Sequence, residues 1–279
     1  MTERIFISDL DGTLLQPDAT LSDYSKEKIL EILDKGIHFT VATARSVTST
    51  KEILGDIPFK LPIICANGGS IYNYDPHELL HVEYIPKYLV SDIIHEMKSR
   101  NDSAFVSSLE DGQEKVHYDD LHNYAMNWFY EDRVKAQDKR LSKIEDIRYR
   151  AVETVTTITF MNRKHHLEKT KKHFIKKYKN QIKLNFFENK YSPGWHWLSI
   201  HSAQSSKGNA IQKLKKFTGL EKAHVTVFGD EMNDLSMFEI AEHPVAVGNA
   251  LQKVKNKAKE VIDHNHQNAV VDYVLNSIK

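Results

Sequence analysis

The stretch IFISDLDGTL, residues 5–14, decides the fold. Its first four residues form a short apolar run that is typical of a buried strand. Asp9 and Asp11 follow at once, at the point where a strand of a parallel sheet delivers side chains to a crevice. A tight turn at Asp11-Gly12 is an alternative interpretation, because Asp-Gly is a favoured turn dipeptide. The stretch alone therefore leaves a structural and a catalytic interpretation open.

A second acidic group, GDEMND at residues 229–234, follows another apolar run at residues 225–228. Oxygen ligands suit Mg²⁺, a hard cation that keeps several waters and takes one or two protein carboxylates beside a substrate phosphate. Two carboxylate clusters at two strand ends therefore predict one magnesium site. Asp230 also suits a helix start with acids in its first turn, and that role is compatible with metal binding.

The two outer segments of the chain alternate short β-rich runs with helical periods. Strands are predicted at 5–8, 37–42, 62–66, 224–228 and 244–247, and helices at 22–35, 46–54, 207–217, 233–241, 251–259 and 268–277. Strands joined by helices favour a parallel sheet covered by helices. We therefore predict an α/β fold with a Rossmann-like parallel sheet core.

The segment between the outer ones has a different character. It combines predicted helices at 86–99, 119–130 and 163–179 with short strands near 104–107, 114–117, 155–161 and 182–187. This grouping predicts an inserted α+β domain at 84–189, and the flanking parts, 1–83 and 190–279, then form one core.

Composition and charge exclude several classes of protein. Hydrophobic residues make up 41% and charged residues 27% of the chain, the ordinary balance of a folded soluble protein. Lys+Arg and Asp+Glu both number 38, so no overall basic field draws the chain to nucleic acid or anionic lipid. The lysine-rich helix at 163–179 is best explained as a solvated face. Apolar runs fall far short of the ~20 residues that cross a bilayer, and no signal peptide is recognisable. We expect a small-molecule partner, with neither nucleic acid nor membrane.

Cys65 is the one cysteine of the chain and lies in an apolar run. It has no partner for an internal disulfide, which predicts a reducing, cytoplasmic location, and a small buried hydrophobe is its expected role. The 15 histidines do not have the spacing of a closed zinc site with cysteine partners. The sequence leaves a monomer or a homodimer open.

Two further residues stand where they could serve a phosphate. Thr43, after the strand at 37–42, offers a hydroxyl and neighbouring backbone N–H groups to the same crevice. Lys207 opens a helix, where its ammonium could reach a phosphoryl group or the crowded carboxylates. Each residue alone has an ordinary explanation, as a threonine before a helix and as a surface lysine.

In chain order, DLDGT at 9–13, Thr43, Lys207-Gly208 and GDEMND at 229–234 resemble the haloacid dehalogenase-like phosphatase superfamily. The long insertion after Thr43, with Asn67-Gly68-Gly69 before it, resembles the Cof-type branch with its α+β cap. The resemblance covers nearly the whole chain. It implies a magnesium-dependent phosphatase for small-molecule phosphate monoesters, such as sugar phosphates, with a cap that determines substrate specificity.

The resemblance also implies a role for each matched residue. Asp9 attacks phosphorus and becomes an aspartyl-phosphate, while Asp11 protonates the leaving oxygen and then activates water. Thr43 and Lys207 complete the predicted catalytic set. The predicted ligands of Mg²⁺ are Asp9, the backbone carbonyl of Asp11, Asp230 and, in the outer shell, Asp234. The predicted phosphate- and substrate-binding residues are Leu10, Thr43, Ala44, Arg45, Asn67, Gly68, Lys207 and Asn233.

Two departures from the family pattern and two alternative functions stay open. Ala44 stands where the family often has glycine, and Asn268-Ala269-Val270 where Gly-Val is common. A phosphomutase of the same superfamily would share the chemistry but return the phosphoryl group to its substrate. A non-catalytic phosphosugar-binding regulator is the other alternative, and the intact set of Asp9, Asp11, Lys207 and Asp230 argues against it.

Overall fold

The computed structural model describes residues 3–76, 78–149, 154–189 and 192–277. Its strands are β1 (Arg4–Ser8), β2 (His38–Val41), β3 (Ile63–Cys65), β4 (Ser70–Asn73), β5 (Glu78–Val82), β6 (Ala104–Glu110), β7 (Gln113–Tyr118), β8 (Leu141–Lys143), β9 (Val155–Arg163), β10 (Ile182–Glu188), β11 (Trp195–Ser202), β12 (His224–Gly229), β13 (His243–Ala246) and β14 (Glu260–Val261). Its α-helices are α1 (Asp23–Asp34), α2 (Val47–Leu54), α3 (Lys87–Ser99), α4 (Tyr124–Lys135), α5 (Lys164–Tyr178), α6 (Lys207–Thr218), α7 (Leu235–Phe238), α8 (Gln252–Lys255) and α9 (Ala269–Asn276). Within the described residues, no helix is long and apolar enough to cross a membrane.

The chain divides into two compact units. The core unit combines Met1–Val82 with Ser205–Lys279, and the inserted unit is Glu83–Gln204. The core unit contains a five-stranded sheet in the order β14-β13-β12-β1-β2, in which every pair is parallel. The predicted α/β fold with a parallel sheet core is confirmed.

The centre of this sheet is apolar on both faces, as a covered parallel sheet requires. Ile7 of β1 and Val227 of β12 on one face, and Phe6 and Phe228 on the other, have almost no exposed surface. In the register, Ser8 lies beside Val41 on one side and beside Phe228 on the other. Three strands therefore end at the same edge, and the residues that follow them meet there.

The entry of α9 depends on Asn268. Asn268 has a φ of 58°, in the left-handed region that asparagine tolerates better than most residues. Its Oδ1 accepts hydrogen bonds from Gln16 Nε2 at 3.0 Å, Ser22 Oγ at 2.7 Å and Ser25 Oγ at 3.1 Å. Asparagine therefore supplies both the turn and a connection to the start of α1, which glycine could not.

The inserted unit has a six-stranded sheet in the order β10-β11-β9-β6-β7-β8. Neighbouring residues of β9 point to opposite faces. Phe160 packs in the cluster that contains buried residues of α3 and α5, whereas Met161 packs with Ala125 and Met126 of α4. The helices therefore cover both faces of this sheet, in the α+β arrangement predicted for the insertion.

The second boundary of the insertion differs from the prediction. The core was predicted to resume at 190, but the structural division lies between Gln204 and Ser205. β11 pairs with both β10 and β9, so it lies inside the second sheet. Its sequence, WHWLSIHS, mixes aromatic and polar residues on both faces and carries no clear strand alternation. Trp197 is buried against Trp128 in an edge-on contact.

A buried histidine on β11 makes the inserted unit sensitive to acid. Burial, with a smaller contribution from the charge of Lys183, lowers the pKa of His201 to about 4. A histidine in an unfolded chain has a pKa of about 6.5, so between these two pKa values the unfolded chain binds a proton that the folded unit does not. Stability is therefore lost as the pH falls through this window. Between pH 7 and pH 5 we expect the titration of His201 to lower the free energy of unfolding by about 2 kcal/mol.

His201→Gln should remove most of that acid sensitivity. The measurement is the free energy of unfolding in urea at both pH values, with His165→Gln, at an exposed position, as the matched control. An unchanged pH dependence in the His201 variant would contradict this explanation.

Candidate active site

The predicted site residues lie in the core unit, at the edge where β1, β2 and β12 end. Two backbone hydrogen bonds extend the ladder past the last residue of β1. The N–H of Asp9 donates to the carbonyl of Phe228 at 3.0 Å, and the N–H of Ala42 donates to that of Ser8 at 2.8 Å. The loops that carry the acidic motifs are therefore held side by side by the sheet itself.

Lys207 lies at the centre of the cluster and has no exposed surface. Its Nζ donates to Asp9 Oδ1 at 2.5 Å and to Asp234 Oδ1 at 2.6 Å. Burial alone would lower the pKa of Lys207, but the charges and hydrogen bonds of Asp234 and Asp9 outweigh it and raise that pKa. The ammonium therefore stays charged at neutral pH and is not one of the surface lysines.

Three carboxylates crowd around this one ammonium. Oxygens of Asp9, Asp230 and Asp234 all lie within 4.8 Å of one another, and each residue is buried. Burial raises the pKa of Asp9 well above its usual range, and the charges of Asp234 and Asp230 add to this against the opposing effect of Lys207. Burial and the charge of Asp234 also raise the pKa of Asp230, to about 7. This excess of negative charge, on hard oxygen donors, fits a bound divalent cation such as Mg²⁺.

Asp234 has a supporting position in this group. Its Oδ2 accepts the N–H groups of Asp230 at 2.9 Å and Glu231 at 3.0 Å, while its Oδ1 accepts from Lys207. Both oxygens are thus engaged by the protein, as expected of a residue that orders the acidic loop at 229–234. Thr13, the last residue of the DLDGT motif, donates its hydroxyl to Asp230 Oδ1 at 2.8 Å.

Gly12 is required by the close approach of two loops. Its φ is +82°, and a Cβ added there would lie 2.4 Å from Asp230 Oδ2. Asn249 Nδ2 donates to the Gly12 carbonyl at 2.7 Å. Asn249 was not predicted as a site residue, although it follows β13, which ends at the same edge of the sheet. Its signal in the sequence is a polar side chain shortly after a predicted strand.

The carboxylate of Asp11 does not belong to the group of three. Arg45 holds it through two hydrogen bonds, Nε to Oδ2 at 2.7 Å and Nη2 to Oδ1 at 2.5 Å. The side chain of Asp11 is 43% exposed, in contrast to the buried Asp9. The assignment of Asp11 to the metal through its backbone carbonyl stays a prediction.

The loop after β2 brings Thr43, Ala44 and Arg45 to the same edge. Thr43 is fully buried, and its Oγ1 accepts the N–H of Arg45 at 3.1 Å. Ala44 is exposed. The side chain of Leu10 is fully buried, so its predicted role can only be that of its backbone.

Asn67, Gly68 and Asn233 also come together. Asn233 Nδ2 donates to Asn67 Oδ1 at 2.8 Å. Gly68 has a φ of +86°, and a Cβ there would lie 2.1 Å from the Ser206 carbonyl oxygen, just before Lys207. The structure thus gathers the predicted residues from five separate segments into one unit.

Comparison with known proteins agrees with this geometry. A family model described as haloacid dehalogenase-like hydrolase matches residues 6–274. The chain is 31% identical to the 5-amino-6-(5-phospho-D-ribitylamino)uracil phosphatase YwtE of Bacillus subtilis, over 95% of each chain. It is 26% identical to the pyridoxal phosphate phosphatase YbhA of Escherichia coli, over 100% of each. The crystal structure of TM0651 from Thermotoga maritima is similar with a TM-score of 0.79 and 24% identity, over 98% of this chain and 97% of that one.

The chain belongs to the haloacid dehalogenase-like hydrolase family, since the family model matches nearly the whole chain. The predicted superfamily, the fold and the assignment to a hydrolytic enzyme are confirmed. The names of the two relatives support a phosphatase.

Proposed function

We propose that this enzyme is a magnesium-dependent phosphatase that hydrolyses small-molecule phosphate monoesters through an aspartyl-phosphate on Asp9. The observation that carries the proposal is the buried Lys207, bonded to Asp9 and Asp234 within a group of three carboxylates. An ion arrangement this costly to bury suits a site that handles both a metal ion and an anion. The phosphatase names of the relatives add support.

In the first step, an oxygen of Asp9 attacks phosphorus as the bond to the leaving oxygen breaks. Lys207 holds Oδ1, so Oδ2 is the proposed nucleophile. Asp11 gives a proton to the leaving oxygen, and in the second step it takes one from the water that hydrolyses the aspartyl-phosphate. Arg45 must release at least one oxygen of Asp11 for this exchange, since both are bonded to it in the structure.

A magnesium ion, when bound, would supply positive charge that offsets the repulsion between a carboxylate nucleophile and a phosphate dianion. Asp9, Asp230 and the carbonyl of Asp11 are the proposed ligands, with Asp234 behind them. The phosphoryl oxygens are proposed to meet Thr43, Arg45, Lys207, Asn233 and the backbone N–H groups of Leu10 and Ala44, while Asn67 and Gly68 shape the same loop region.

The inserted unit is proposed to act as the cap that selects the substrate. The relatives are named for a phosphorylated ribitylaminouracil and for pyridoxal phosphate, so aromatic metabolites join sugar phosphates as candidate substrates. A cytoplasmic location and a monomeric or homodimeric state stay predictions.

The test is release of inorganic phosphate from a panel of sugar phosphates, flavin mononucleotide, pyridoxal phosphate and nucleotides, with Mg²⁺ present. We expect turnover of at least one small monoester. A phosphomutase would return an isomeric phosphate ester without accumulating phosphate, and a regulator would bind without turnover. Either result would contradict the proposed phosphatase.

Magnesium should activate the enzyme, and calcium should compete for the same site and inhibit. Mg²⁺ demands near-octahedral geometry, whereas Ca²⁺ accepts more oxygens and takes carboxylates through both of them. Capture of both Asp9 oxygens would occupy the proposed nucleophile. The measurement is phosphate release at fixed Mg²⁺ with rising Ca²⁺, repeated at higher Mg²⁺. Full activity with Ca²⁺ alone, or after chelation, would exclude this account of how Asp9 is held.

A further inference from the structure

The turn Ala66-Asn67-Gly68 connects three of the loops that build the candidate site. Its residues have φ values of 51°, 56° and 86°, three left-handed conformations in a row. The N–H of Ala66 donates to the Arg45 carbonyl at 2.8 Å, and the N–H of Asn67 donates to that of Thr43 at 2.9 Å. With Gly68 pressed against the backbone that precedes Lys207, the position of Asn67 is fixed from two sides.

The side chain of Asn67 reaches the third loop through the bond that Asn233 Nδ2 donates to its Oδ1, at 2.8 Å. An amide has one end that accepts hydrogen bonds and one that donates two. In this arrangement the acceptor end of Asn67 faces the donor end of Asn233. The bond uses one N–H of Asn233 and leaves the second as a donor.

The backbone of Asn233 is held independently of this bond. Asn233 belongs to the short turn Met232–Asp234, and its carbonyl accepts the hydroxyl of Ser236 at 3.2 Å. Asp234, the next residue, is bonded to Lys207. Those contacts do not restrain rotation of the Asn233 side-chain amide. The hydrogen bond to Asn67 does.

We infer that Asn67 is a positioning residue: it acts on the phosphoryl group through Asn233, whose donor end it fixes, and does not bind the group itself. The inference rests on the proposed function, because it assumes a phosphate ligand beside Asn233. It assigns Asn67 a contact with Asn233 in place of the direct contact with the substrate that the resemblance implied, and a double-mutant cycle distinguishes the two roles.

A double-mutant cycle tests this. Asn67→Gly removes the amide and keeps the left-handed turn, and Asn233→Ala removes the donor. The dissociation constant of orthophosphate is measured by calorimetry in Mg²⁺ for the wild type, both single variants and the double variant. We expect each single change to weaken binding by about three- to tenfold, the effect of one hydrogen bond. The double variant should bind no worse than Asn233→Ala alone.

Multiplying effects in the double variant would overturn the inference, because they would mean that Asn67 contacts phosphate independently. Unchanged affinity in Asn67→Gly would overturn it as well. Asn101→Gly replaces another left-handed asparagine, at φ 55° in the inserted unit, and should leave the affinity unchanged.

A second readout does not depend on ligand. The side-chain amide resonances of Asn233, assigned through their loss in Asn233→Ala, should shift in Asn67→Gly and stay in place in Asn101→Gly. If the wild type neither binds orthophosphate nor hydrolyses any ester, the proposed function fails and this inference fails with it. If the wild type does both and the cycle is additive, only the inference is wrong.

Discussion

Replacing Asp9 with asparagine is expected to abolish phosphate release and leave the core unit folded. The amide keeps the shape of the side chain but is neither charged nor nucleophilic, so no aspartyl-phosphate can form. Burial raises the pKa of Asp9, and the negative charges of Asp234 and Asp230 raise it further against the opposing charge of Lys207. Removing one of the crowded charges should therefore not lower the thermal stability of the metal-free protein.

Three measurements check this prediction. Phosphate release and the mass of the protein after brief mixing with substrate report turnover and the phosphorylated intermediate. The rise in melting temperature with Mg²⁺ reports metal binding, since a ligand that binds only the folded state stabilises it, and this rise should shrink. Asp56→Asn, at an exposed position in the same unit, is the matched control and should behave like the wild type. Near-normal release by Asp9→Asn, with wild-type contamination excluded, would disprove the nucleophile assignment.

Changing Lys207 to alanine is expected to reduce the rate by roughly 10²–10³, the scale of losing one preorganised electrostatic donor at a reacting centre. The change also removes the cation that Asp9 and Asp234 share at 2.5 and 2.6 Å. Removing one partner of a buried ion pair typically lowers the free energy of unfolding by about 3–5 kcal/mol. The melting temperature without metal should therefore fall, and added Mg²⁺ should recover part of the loss.

Lys216→Ala is the matched control, because Lys216 is an exposed lysine on the same helix, α6. It should leave both the rate and the melting temperature close to those of the wild type. A rate loss of less than threefold in Lys207→Ala would show that the buried ammonium is structural only. A large rate loss with unchanged stability would instead contradict the charge balance proposed for the cluster.

Much of the fold was predictable because the core strands are short apolar runs with a clear end. The run at 5–8 continues directly into two aspartates, and Gly219 and Ser206 mark the ends of α6 as expected of helix caps. α4 was misplaced: it was predicted at 119–130 and runs Tyr124–Lys135, with Asn123 as its side-chain cap. Its aromatic residues pack in several directions, so no single apolar stripe marks where it begins.

Neither β11 nor the C-terminal boundary of the inserted unit was predictable from the local pattern of apolar and polar residues. An isolated strand is identified by alternation, but both faces of β11 are covered, because Trp197 and Leu198 belong to different clusters. The chain therefore shows no polar face there. Only the pairing with β9 and β10, which lies outside any sequence window, assigns the strand to the inserted unit.

For the site, sequence order and strand ends identified the acidic residues, Thr43 and Lys207. What sequence could not supply was the set of partners. The sequence does not indicate that Arg45 donates hydrogen bonds to Asp11 or that Asn233 donates to Asn67. These contacts depend on the directions of side chains from separate loops. The full burial of Lys207 was likewise invisible, because lysine is the residue least expected in a core.

The place of β1 between β2 and β12 has a consequence for synthesis on the ribosome. β1 and β2 emerge early, but the strand that completes the other side of β1, His224–Gly229, is made only after the entire inserted unit, Glu83–Gln204. That unit is one continuous stretch, and domains generally fold as units in the order of their synthesis. We therefore expect the inserted unit to fold first, while β1 still has an open edge. Asp9 gains its ammonium partner and the Asp230 loop late, so a nascent chain becomes an enzyme only when α6 and β12 have left the exit tunnel.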